Sequence, residues 1–155
     1  MRLRENLSRS AASELDVRAA DVLGPDATVG AAIALMQERK TGCLIITEHG
    51  KPIGIFTERD VLKQVVARGT PLTTPLADVM TNSPVTVDEE CSVGALIRRM
   101  HDGGLRHVPV VDSSQRLRGV VSVKRIVEFL VDHVPRAVFN LPPKPGQRQQ
   151  AREGA

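Results

Sequence analysis

Thr57 and Asp60 lie one helical turn apart in the run Gly54-Ile55-Phe56-Thr57-Glu58-Arg59-Asp60, and together they could grip a molecule that carries both phosphate and hydroxyl groups. The apolar run Ile53–Phe56 predicts a strand, and the residues from Thr57 onward predict a helix. Thr57 therefore falls where the strand ends and the helix begins. Backbone N–H groups and the helix dipole at such a junction attract phosphate, and a hydroxyl adds one more donor. Asp60 presents two acceptor oxygens, which suit two vicinal ribose hydroxyls. The same Thr-x-x-Asp spacing also makes a capping box, in which the two side chains satisfy the first N–H groups of the helix without any ligand. The spacing alone leaves both readings open.

The elements that must position this pair occur twice. Val29, Gly30, Ala31 and Met36 recur as Val93, Gly94, Ala95 and Met100, each displaced by 64 residues, and Gly54 recurs as Gly119, displaced by 65. The extra residue falls in the Asp112–Arg118 turn, which is longer than Glu48–Lys51. A fixed-period echo means two copies of one supersecondary unit that pack together to complete a core. In the first copy Thr28 caps a helix with Val29, Ala32, Ile33 and Met36 on one face, and Gly42 ends it. Leu44–Ile46 and Ile53–Phe56 form two strands, and Thr57 caps a second helix carrying Val61, Leu62, Val65 and Val66. In the second copy Val85–Val87 is the first strand. Ser92 caps a helix with Val93, Leu96, Ile97 and Met100 on one face, and Gly103-Gly104 ends it. Val108–Val111 pairs with Leu117–Val121, and Ser122 caps a last helix with Ile126, Val127, Phe129 and Leu130 apolar.

Each copy thus reads strand–helix–strand–strand–helix. Either sheet alone would leave one face bare, so the expected fold is α+β, with two tandem repeats packed sheet against sheet about a pseudo-twofold axis. The expected boundaries are a helical lead-in at 1–20, repeats at 21–68 and 80–134, a Thr- and Pro-rich linker at 69–79, and a disordered tail at 135–155.

The 155 residues suffice for one compact domain or two small units sharing a core. The net charge of +3 resides in the tail, where Arg136, Lys144, Arg148 and Arg152 stand against Glu153, leaving 17 basic and 17 acidic residues elsewhere. A nucleic-acid binder needs a basic face and often aromatic platforms. With no Trp, no Tyr and three Phe, the composition argues against that class. No run of eighteen apolar residues predicts a membrane span, and the polar Met1–Ser13 lacks a signal-peptide core. Cys43 and Cys91 form no CxxC and read as buried free thiols, which places the chain in the cytoplasm. His49, His101 and His133 lack metal-ligand spacing, and no Ser–His–Asp, Cys–His–Asp or paired-carboxylate arrangement is placed for catalysis.

The repeat, the element order and the Gly54–Asp60 run together resemble a tandem pair of cystathionine β-synthase (CBS) domains over roughly Asp21 to Val134. The run is similar to the family's G-h-x-[ST]-x-x-[DN], and His107-Val108-Pro109-Val110-Val111-Asp112 is also typical of it. The resemblance implies a regulatory module rather than an enzyme. It implies an adenosine-containing effector (AMP, ADP, ATP, NAD(H) or S-adenosylmethionine) in the cleft between the copies, no required cofactor, and a homodimer of four domains in a flat disc. By the same resemblance Thr57 meets phosphate and Asp60 meets ribose, with Gly54 and Arg59 of that motif beside them. Asn82, Pro84 and Val85, leading into the second copy, flank the base. Arg106 and His107, followed by Pro109, reach the phosphates. Arg106 is a fixed cation with a planar donor fork, and His107 donates more strongly when protonated.

The second copy departs from the pattern. Gly119-Val120-Val121-Ser122-Val123-Lys124-Arg125 keeps the glycine and the hydroxyl but puts Arg125 where the acid belongs. Arginine has no acceptor for ribose hydroxyls. The second site, comprising Lys40, Gly42, Ser122, Lys124 and Arg125, is then empty, or it takes a more phosphate-rich ligand through Lys124, Arg125 and Lys40. Alternatively Arg125 swings into the Asp60 site or a dimer contact, or it is simply exposed. The expectation is one nucleotide site per chain, in a module that acts on a separate, unidentified protein. The alternative is a structural dimerisation module of the same fold with a vestigial cleft.

Overall fold

Thr28 and Ser92 start the first long helix of each copy in the same way. Thr28 Oγ1 accepts a hydrogen bond from the Ala31 N–H at 3.1 Å, and Ser92 Oγ accepts one from the Ala95 N–H at 3.2 Å. Each satisfies a donor that a helix start leaves open. The helices that follow, α2 (Val29–Arg39) and α4 (Val93–Gly103), bury Val29, Ala32 and Met36 and, equivalently, Val93, Leu96 and Met100, as the spacing predicts. The computed structural model describes residues 2–133, so the tail expected at 135–155 lies outside the described residues.

The end of α2 differs from the sequence expectation. It stops at Lys40, which takes a left-handed φ of 52°, rather than at Gly42; in the second copy Gly104 holds the equivalent place with φ 61°. A side chain in this conformation costs about 1 kcal/mol that glycine avoids, so Lys40 holds strain that its counterpart does not.

The strands β1 (Val22–Leu23), β2 (Cys43–Glu48), β3 (Lys51–Thr57) and β4 (Thr81–Asn82) form one sheet in that order. The strands β5 (Val87–Asp88), β6 (His107–Val111) and β7 (Leu117–Ser122) form the other. In both sheets the long pair is antiparallel and the short preceding strand lies parallel to it. His49 and Gly50, with φ of 51° and 77°, make the two-residue β2–β3 turn, since positive φ at both positions matches the twist of a tight hairpin.

β7 leads into a regular helix, α5 (Val123–His133). β3 leads into a single α-turn, α3 (Glu58–Asp60), which continues as a π-helix over Val61–Val66. The Ala67 N–H reaches back to the Leu62 carbonyl, and the Thr70 N–H to that of Val65. Of the apolar residues on this stretch Val65 is buried, while Leu62 and Val66 are 63% and 67% exposed.

Two separate cores result. One gathers α2, β2 and β3 around Leu44, Ile46 and Phe56; the other gathers α4, α5, β6 and β7 around Val108, Val110 and Val121. Side chains alternate between sheet faces. Cys43 and Ile45 of β2, and Pro109 and Val111 of β6, therefore occupy the opposite faces, and they too are buried. These faces form the seam between the units, beside which the Leu117 N–H donates to the Gly50 carbonyl at 2.9 Å.

The lead-in and the linker complete the units crosswise. Residues 70–82 cover the first unit: the Val29 N–H bonds the Thr74 carbonyl, Leu76 is fully buried, and Thr81 pairs with Ile55. Residues 7–19 do the same for the second: the Val93 N–H bonds the Ser10 carbonyl, Ala12 and Leu15 are buried, and Arg18 pairs with Val120. The lead-in is helical only over α1 (Arg2–Arg9) and a short 3-10 turn at Ala12–Glu14. Gly54 and Gly119 lie where these crossing segments press closest. A Cβ at Gly54 would collide with Met80 Sδ, and one at Gly119 would collide with the Arg18 carbonyl oxygen.

Candidate functional site

Two clefts open along the seam, related by the internal repeat. The first encloses about 210 Å³. The β3–α3 junction brings Thr57, Arg59 and Asp60 to one side of it, and the chain leaving Gly104 brings Arg106 and His107 to the other. The capping box expected at this junction is formed: the Thr57 N–H and Oγ1 both donate to Asp60 Oδ2, at 2.8 and 3.0 Å, and the Asp60 N–H reaches Thr57 Oγ1 at 3.4 Å. The Glu58 N–H donates to the Gly42 carbonyl at 3.1 Å. These donors at the head of α3 are thus engaged within the protein, and the remaining polar donors in the lining are the side chains of Arg59, Arg106 and His107 with Thr81. Asp60 Oδ1 stays on the open side, with Thr81 Oγ1 at 3.5 Å, the outer limit of a hydrogen bond. One oxygen of Asp60 caps and the other lies outside the capping box on a residue that lines the cleft, so capping leaves one acceptor oxygen over.

His107 lines both clefts. Burial pulls its pKa below the usual 6.5, opposed by the Glu58 carboxylate and assisted by Arg106. The ring is therefore neutral at pH 7, with one donor and one acceptor nitrogen. Cys43, against the second cleft, has its thiol pushed up to about 12 by burial and then by the carboxylates of Asp60 and Asp21, and is unreactive near neutrality.

The second cleft encloses about 220 Å³. Ser122, Lys124 and Arg125 stand where the first has Thr57, Arg59 and Asp60, and Lys40 stands where it has Gly104. Arg125 neither enters the Asp60 site nor projects freely. Its guanidinium donates to Asp16 through both the side chain and the main-chain carbonyl, and to Glu128 Oε2 at 2.6 Å. The hydrogen bond to Glu128 is the main reason its pKa is raised.

Other expected site residues fall elsewhere. Gly42 lines the first cleft rather than the second, because its carbonyl receives the head of α3. Gly54 is buried beneath Met80 and lines neither cavity. Asn82 pairs with Gly54 in β4, while Pro84 and Val85 follow it outside the lining, half-buried and exposed respectively. Pro109 is buried in the seam opposite Val120. The sequence reading missed Thr81, Leu105, Arg18 and Arg39, which enter the linings. The internal repeat could have flagged Leu105, one position before Arg106; Arg18 and Thr81 had no such local signal, since both come from crossing segments.

Two pseudo-equivalent units with clefts along their seam define a tandem-repeat module. The CBS domain family model matches residues 12–67 and 76–132, and the chain belongs to the CBS-domain family, with two repeats. CBS-domain pairs are in general regulatory rather than catalytic, and the match indicates no catalytic family. An uncharacterised protein of Methanopyrus kandleri is 36% identical over 95 residues, covering 60% of this chain and 48% of that protein; the chain thus spans about half the length of that relative. A crystal structure of a CBS-domain protein from Agrobacterium tumefaciens is similar at 31% identity and TM-score 0.69, covering 77% of this chain and 97% of that one. A CBS-domain protein from Pyrobaculum aerophilum, solved in complex with AMP, is similar at 27% identity and TM-score 0.70, covering 79% and 98%. Among the described residues no helix is long and apolar enough to cross a membrane.

Proposed function

We propose that the chain is a regulatory module that binds one adenosine-containing nucleotide in the Thr57/Asp60 cleft and passes the binding event to a partner protein. The observation that carries this reading is the convergence of opposite chemistries across the seam. Asp60 Oδ1 is an acceptor for ribose hydroxyls on one side, and Arg106 with His107 are donors for phosphate on the other. A ligand spanning both ties the units together and favours whichever arrangement of the repeats it fits better. The similarity to a protein solved with AMP supports the adenosine class. The free thiols of Cys43 and Cys91 fit a reducing compartment, which we take to be the cytoplasm.

The test begins with an ultraviolet spectrum. With no Trp and no Tyr, a co-purified nucleotide would dominate at 260 nm, and chromatography after acid release would name it. Titration calorimetry with AMP, ADP, ATP, NADH and S-adenosylmethionine should then show binding that Arg106→Ala weakens. Absence of binding to all of them would favour the structural dimerisation module, with Asp60 serving only as a cap.

We further propose a homodimer through the last helix of each repeat. Leu62 and Val66 beyond α3, and Val123, Val127 and Val131 at helical spacing on α5, form exposed apolar stripes at repeat-equivalent places. Light scattering should report a dimer for the native chain and a monomer for a Leu62→Glu, Val127→Glu variant.

A further inference from the structure

The second cleft is cationic where the first is mixed, and the imbalance is not cancelled by its own carboxylates. Arg125 replaces Asp60, Arg18 replaces Thr81 and Lys40 replaces Gly104, while Lys124 keeps the charge of Arg59. Two carboxylates line the same space, Asp21 and Glu128. Glu128 is held by Arg125, and Asp21 lies 3.8 Å from Arg39 Nε. Among the described residues Arg18, Lys40 and Lys124 have no carboxylate within ion-pair distance. Three unpaired cations thus face one cavity of about 220 Å³.

Two further observations bear on what belongs there. The guanidinium of Arg125 is engaged at all three nitrogens by Asp16 and Glu128, so it latches residues 7–19 onto the second unit, its charge is matched by those two carboxylates, and it has no acceptor for a hydroxyl. The position equivalent to Asp60 therefore offers no acceptor for a ribose. Ser122 Oγ accepts from the Arg125 N–H at 3.3 Å, which leaves its O–H as a donor toward the cavity. Second, Lys40 keeps a left-handed backbone where the equivalent position has glycine. The left-handed turn therefore carries an ammonium group to this cavity where the first cleft has only the glycine Gly104.

We propose that the second cleft is an oligophosphate site. It recognises a pyrophosphate or triphosphate group through Arg18, Lys40, Lys124 and the Ser122 hydroxyl, and it requires no ribose. This assignment rests on the residues of the second cleft alone, so it stands or falls separately from nucleotide binding at Asp60.

The experiment is titration calorimetry of the full chain with sodium pyrophosphate, then inorganic triphosphate, at constant ionic strength. The native chain should bind both, and triphosphate more tightly. Lys40→Gly with Lys124→Ala should weaken binding about tenfold or more, from the loss of charge-assisted contacts. Lys40→Gly alone relieves backbone strain, so it reports on a folded protein even if the double variant is unstable. In the Arg106→Ala background, which removes a phosphate donor of the first cleft, pyrophosphate should still bind and Lys40→Gly with Lys124→Ala should still weaken it, and adenosine should not compete. The proposal is overturned if the native chain gives no response at millimolar pyrophosphate. It is overturned equally if Arg106→Ala rather than the Lys40 variant abolishes binding, which would put the anion in the first cleft, or if sulfate reproduces the response.

Discussion

The two clefts are built from the same repeat and have diverged to opposite uses of one position. Asp60 spends one oxygen capping its helix and keeps the other toward the cleft, where Arg106 and His107 face it. Arg125 uses all three guanidinium nitrogens to hold Asp16 and Glu128. One copy therefore leaves a carboxylate oxygen outside its cap, and the other uses the same position on the helix as a clamp for the lead-in. A duplicated unit can retain its backbone while a single charge reversal changes what one helix position holds. This is possible because the hydroxyl cap at Thr57 or Ser122 holds the helix start in either case.

The largest expected contrast concerns the crossing segments. Gly119→Ala would drive a Cβ into the main-chain oxygen of Arg18, whereas Gly54→Ala would meet the flexible end of Met80. Gly119→Ala should therefore cost roughly 3 kcal/mol, near the upper end for overpacking, and Gly54→Ala about 1. Urea unfolding of the two variants measures the difference, and equal costs would break the view that main chain closes one unit and a side chain the other.

Next in size is the reversed position itself. Asp60→Ala should lower nucleotide affinity about tenfold and cost about 1 kcal/mol of stability through the lost cap. Arg125→Ala should leave nucleotide affinity unchanged and speed amide exchange across residues 12–19, as read by mass spectrometry. A loss of nucleotide binding in Arg125→Ala would mean the two positions still share a role.

Lys40→Gly should stabilise the protein by about 1 kcal/mol in thermal or urea unfolding, because it gives α2 the unstrained end that Gly104 gives α4.

The smallest expected effect is on pH dependence. Burial holds the folded-state pKa of His107 below 6.5, so the unfolded chain binds a proton that the folded chain resists. Stability should be full above about pH 6.5, fall as the pH drops through that value, and level off below the folded-state pKa. His107→Gln should flatten that part of the curve; an unchanged slope would mean that His107 carries none of it.

Much of this was legible because it is local. Thr28, Ser92, Thr57 and Ser122 satisfy N–H groups three residues away, so residue type and spacing announce them. Repetition at 64 residues showed the two units, and the charge reversal at Arg125 was visible once they were aligned. The end of α2 was misplaced because a glycine was available at Gly42, while the strained Lys40 obeys no propensity rule. The π-helical stretch after Asp60 was also hidden, since Val61, Leu62, Val65 and Val66 suit an ordinary helix equally well.

The sequence by itself determined the duplicated unit, its caps and the chemical difference between Asp60 and Arg125. Tertiary structure alone decided which segment completes which unit, that Gly42 faces the first cleft, and that Arg125 grips Asp16 across 109 positions of chain. The reason is physical. A cap depends on two residues a turn apart, whereas Arg18 beside Val120 and Thr81 beside Ile55 depend on how whole sheets and cores settle, and no local pattern encodes that choice.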